Sequence, residues 1–157
     1  MSAPTPPDPT TSDPAGAPPA PRVAYDYALL RLVPDVGGET ALTVGVVLHS
    51  RQARVLRVST CLDDALATAL AAHLRPGLDL ALVRRYLDGL ARVASGAADA
   101  GVIAALPPSE RFHWLTAPRS TVVQPGPVRG GLAPAKDAGL AATFAALCRS
   151  VGVDGVR

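Results

Sequence analysis

Three apolar segments with a period of two follow one another within residues 23–58, joined by links too short to cross over a sheet. Residues 23–33 mix Tyr25 and Tyr27 with branched aliphatics and stop at Pro34. Residues 41–49 alternate through Leu42, Val44, Val46 and Leu48, and residues 54–58 follow after Ser50-Arg51-Gln52. Such alternation puts one side of a strand in a core. Parallel strands need a crossover of about a dozen residues or more, so these connections demand antiparallel neighbours. The opening of the domain is therefore predicted to be a three-stranded meander, with a turn-rich loop at 34–39. Gly45, inside the middle strand, predicts a bulge or a close backbone approach.

The apolar period then changes to that of a helix. Thr60 is placed as the cap of a helix with Asp63 and Asp64 in its first turn, beside the positive end of the helix dipole. Leu62, Leu66, Leu70 and Leu74 would form its buried stripe, and Pro76-Gly77 would end it. Asp79 caps the next helix, where Val83, Tyr86, Leu87, Leu90 and Val93 share a face and Gly96 suits the C-terminal position. A shorter helix is expected over 98–106, broken by Pro107-Pro108. Residues 111–116 read as a strand with Phe112 and Trp114 on the core face and Arg111 and His113 opposite. With a strand over 120–124 they would form a hairpin. A Pro- and Gly-rich loop over 125–131 leads to a last helix near 135–149, striped by Leu140, Phe144 and Leu147. The expected fold is α+β: an antiparallel sheet of about five strands, meander plus later hairpin, with three to four helices segregated on one face.

Length and composition fix the limits of that domain. The 157 residues suit a single domain. Eight of the sixteen prolines lie in the first 21 residues, among small polar residues that cannot offset their ordering entropy by burial. Residues 1–22 are thus predicted to be a disordered Pro-rich tail, 23–150 the domain, and 151–157 a short C-terminal tail. The N-terminus lacks a basic region followed by an apolar run, and no segment approaches the ~20 apolar residues of a membrane span. These features predict a cytoplasmic protein without a membrane partner. Cys61 and Cys148 are far apart and read as reduced, buried small hydrophobes.

Chemistry is sparsely signalled. The net charge of +2 is no footprint of a dedicated nucleic-acid binder. Three scattered histidines and two lone cysteines have no metal-ligand spacing, and no Gly-rich phosphate loop joins a strand to a helix, so neither metal nor cofactor is expected. His49 and His73 read as structural, at a strand end and a helix end. His113 is the best candidate for a catalytic acid or base. The turn at 117–121 brings a guanidinium and two hydroxyls together, as anion sites do. Ligand or anion candidates are Arg31, Arg119, Ser120, Thr121 and Gln124.

The stretch Arg111-Phe112-His113-Trp114-Leu115-Thr116-Ala117-Pro118-Arg119-Ser120-Thr121-Val122-Val123-Gln124 resembles the signature of the bacterial domain-of-unknown-function family 3037 (DUF3037). Tyr25-Asp26-Tyr27-Ala28-Leu29-Leu30-Arg31-Leu32-Val33-Pro34 and Val44-Gly45-Val46-Val47-Leu48 resemble that family's opening strands. Thr43 departs from the pattern, which has asparagine there. The resemblance implies no reaction, but it does imply a genomic association with HipA-type kinases. The leading expectation is a binding or regulatory module with a kinase-like protein partner. The alternatives are an enzyme acting on a phosphorylated or nucleotide-like ligand through an Arg/His/Ser site, and a weak nucleic-acid binder.

Overall fold

The computed structural model describes residues 19–34, 40–135 and 137–153. Most of the expected N-terminal tail, the turn-rich loop over 35–39 and the last residues of the expected C-terminal tail lie outside them. Strand β1 (Arg22–Leu32), β2 (Leu42–Ser50) and β3 (Val55–Thr60) form the antiparallel meander, followed by helices α1 (Asp64–Leu74), α2 (Leu80–Ser95) and α3 (Pro108–Thr116). Short strands β4 (Val123–Pro125) and β5 (Arg129–Pro134) and helix α4 (Asp137–Ser150) complete the chain. The fold is α+β, an antiparallel five-stranded sheet with four helices.

Strand β1 is central. It pairs with β2 along one edge, while β4 and β5 lie end to end along the other, bridged by the Gly126 N–H donating to the Leu29 carbonyl at 2.7 Å. The order runs β3-β2-β1-β4, with β5 also on β1. At Gly45 both expectations hold. The β1–β2 register shifts beside it, and an added Cβ would come within 2.9 Å of the Ser59 carbonyl and 3.0 Å of Leu30.

The helices are not confined to one face. Leu30, Leu32, Val44 and Val47 pack with Val83, Leu87 and Leu90 of α2 and with Phe112 and Leu115 of α3. Val23, Val46, Leu48 and Ala133 pack with Leu140, Phe144 and Cys148 of α4. Leu30 and Leu32 are even-numbered and Val23 odd, so the two groups leave β1 on opposite sides. Val46, Val47 and Leu48 are all fully buried because both faces of β2 are covered.

Several local expectations are corrected. Thr60 belongs to β3, and Asp63 caps α1 by accepting from the Leu66 N–H at 2.7 Å. In α1 the buried positions are Ala67 and Ala71, while Leu66 is half-exposed. Residues 98–106 form successive turns closed by three-residue hydrogen bonds, with Gly101 at a φ of 85° interrupting any helix. The largest correction is α3. Residues 111–116 are helical, and the expected hairpin with 120–124 is absent; the chain pairs instead through β4 and β5 on β1. Pro108 stands at the first helical turn, where its missing N–H leaves no bond unmade, so Pro107-Pro108 starts a helix rather than ending one. In a helix Phe112 and Leu115 share a face while Trp114 turns outward. Phe112 and Leu115 are buried accordingly, and Trp114 is 36% exposed.

Asp79 and Gly96 end α2 as expected. The Asp79 carboxylate accepts from the Leu82 N–H at 3.0 Å, and Gly96 adopts the left-handed conformation at a φ of 73°. Among the described residues no helix is long and apolar enough to cross a membrane.

Candidate functional site

The first turn of α3 lies over the far end of β2, and a cleft of about 800 Å³ opens between them. The meander register sets Asp26 of β1 directly across from His49 of β2. His49 is only 4% exposed. Its ring stacks on Phe112 with centroids 5.1 Å apart, and its Nε2 lies 3.1 Å from Ser109 Oγ, in a hydrogen bond whose direction follows the ring tautomer. Arg51, Glu110, His113 and Trp114 complete the polar and aromatic rim.

Burial holds the His49 pKa below its usual value of 6.5. Asp26 opposes that shift, while His113 and Arg51 add to it. The imidazole is therefore neutral at pH 7, with one nitrogen donating and one accepting. A neutral ring held by Phe112 and Ser109 can accept a proton or orient a polar ligand.

Trp114 separates two concavities. On one side is the cleft; on the other is a smaller hollow of about 290 Å³ between α2 and α3. The Arg119 guanidinium lies over the indole, 4.6 Å from its centroid. It donates to Tyr86 Oη at 2.8 Å, to the Ala117 carbonyl at 3.3 Å and to the Trp114 carbonyl. Arg119 thus ties the end of α3 to α2 and supports the back of the indole. Arg111 does the same at the other end of α2. Its Nη1 donates to the Ala94 carbonyl at 2.7 Å, an acceptor at the helix terminus, and to the Val93 carbonyl at 3.4 Å, which also accepts from the Gly96 N–H at 3.1 Å.

The residues singled out in the sequence are distributed over three places. His113 is exposed on the cleft rim, its ring edge-on to Phe112. Arg31 and Gln124 face each other as cross-strand partners of β1 and β4, and Arg31 is exposed. Arg119, Ser120 and Thr121 form the link from α3 to β4, where Ser120 is exposed and Thr121 Oγ1 donates to the Val123 carbonyl at 2.6 Å. The cleft walls include His113 but neither Arg31 nor Arg119. In the sequence His49 reads as structural, and Asp26 and Ser109 carry no signal of a site, because the meeting of the three depends on the meander register and on the placement of α3. Among the described residues no cluster of three His, Cys, Asp or Glu side chains could hold a metal ion.

These features define a small α+β domain with a ligand-sized cleft beside an aromatic helix face. The chain belongs to the family described as "Protein of unknown function (DUF3037)", which it matches over residues 27–148. No curated protein and no solved structure matches it.

Proposed function

We propose that the chain is a binding and regulatory module that docks on a kinase-like partner of the HipA type through the outer face of α3. The supporting observation is the exposed Trp114, backed by Arg119 and standing between two hollows. Tryptophan and arginine are enriched among residues that dominate protein–protein affinity, and such anchors work best beside pockets. His113 and Glu110 supply polar neighbours at the rim of the same face.

Titrating the full chain into a HipA-type kinase encoded in the same genome, by calorimetry, tests this reading. Saturable binding is expected, with Trp114→Ala weakening it by roughly tenfold or more. No heat of binding, or equal affinity for the variant, overturns it.

A second reading is favoured by the Ser109–His49 contact: an enzyme acting on a phosphorylated ligand held in the cleft. Arg51 and the first turn of α3 would face the phosphate, and His49 would move the proton. Turnover of a phosphate ester that disappears in His49→Gln would support it, and unchanged background hydrolysis would exclude it.

A further inference from the structure

A second surface, sharing no wall residue with the cleft beside α3, lies along β3. β3 ends the described sheet, so alternate residues turn backbone N–H and C=O groups away from β2 with no strand to receive them. Among the described residues the edge is half-buried, with only Ser59 of the strand buried. It floors a groove of about 390 Å³, walled by α2 at Ala91 and Ala94 and by α4 at Ala141 and Ala145. Ser95 and Phe144 complete the walls, so that small side chains predominate along the groove.

The groove carries one charge. Among the described residues lining it only Arg57 is charged, and its Nε is buried without a hydrogen-bond partner. A buried N–H of a guanidinium that meets neither a carboxylate nor a carbonyl is an unmet donor; Arg111 Nε shares that state, but its Nη1 is anchored on the end of α2. We propose that this groove binds an extended, acidic peptide segment of a partner protein, which adds to β3 as a further strand and sets a carboxylate on Arg57. Backbone pairing would supply affinity, and the charge-assisted contact at Arg57 would select an acidic residue at one position. A second copy of the chain is the poorer occupant. Antiparallel self-pairing centred on Arg57 would bring the two Arg57 guanidinium groups together, and like charges facing across strands repel.

The proposal stands apart from the docking reading of α3, and the test keeps the two separate. The full chain is titrated with a fluorescent, extended probe peptide of alternating valine and threonine bearing one central glutamate, and with its glutamine twin. The glutamate probe is expected to bind roughly tenfold tighter, with the advantage shrinking as salt rises. Amide exchange should slow in residues 55–60 on binding. Arg57→Gln, checked for native circular dichroism, should abolish the discrimination, whereas Trp114→Ala should leave it intact. Equal affinity for the two peptides, no binding of either, or protection confined to α3 overturns the proposal. So does concentration-dependent dimerisation through β3 that excludes the probe.

Discussion

Gly96 shows how much one position can be asked to do. Its φ of 73° suits glycine, and a Cβ there would lie 2.7 Å from Arg111 Nη1, the group that caps α2. Gly96→Ala should therefore destabilise the fold by about 1–3 kcal/mol in urea titrations. Gly101→Ala, with a φ of 85° but open space around it, should lie nearer the lower end of that range. At His49 the same scale gives a pH dependence. The folded pKa is depressed, so the unfolded chain takes up a proton more readily. The stabilising contribution is complete above about pH 6.5 and is lost as the pH falls through the lower, folded value. Unfolding measured from pH 7.5 to 5 should show this decline, and His49→Gln should remove that part of it. Asp26, His113 and Arg51 face this ring and set how far its pKa is displaced.

At the scale of elements, α3 separates what the sequence states from what the fold decides. The meander, the Asp79 cap and the Gly96 terminus were readable because each rests on neighbours in the chain. The stretch Phe112-His113-Trp114-Leu115 satisfies a period of two as well as a spacing of three, and local pattern alone cannot choose between them. Pro108 at the helix start and the seats for Phe112 and Leu115 against β2 and α2 make the choice. The candidate site followed the same division. His113 was legible, whereas the Ser109–His49 contact needed the helix. The helical assignment has a direct consequence. Phe112→Ala should destabilise by about 3–5 kcal/mol and Leu115→Ala by about 2–5 kcal/mol. Trp114→Ala should change stability far less than either, an ordering a strand could not produce because Phe112 and Trp114 would share a face. Thermal denaturation of the three variants measures it.

For the whole molecule, β1 and β2 serve both cores, so neither the α2–α3 side nor the α4 side can unfold without disturbing the other. Trp114 is the chain's one tryptophan and reports on the α3 side, whereas far-ultraviolet circular dichroism averages over all helices. The two signals should give coincident denaturation curves. Separated midpoints would show the faces to be independent. The arrangement along β1 also sets an order of events in time. Its second edge waits for β4 and β5, so that Arg22, at the start of the strand, finds its partner only in Pro134. During synthesis the meander and the first helices can emerge while β1 still presents a bare, hydrogen-bond-hungry flank. A ribosome stalled before residue 123 would carry a nascent chain ready to pair with the wrong neighbour.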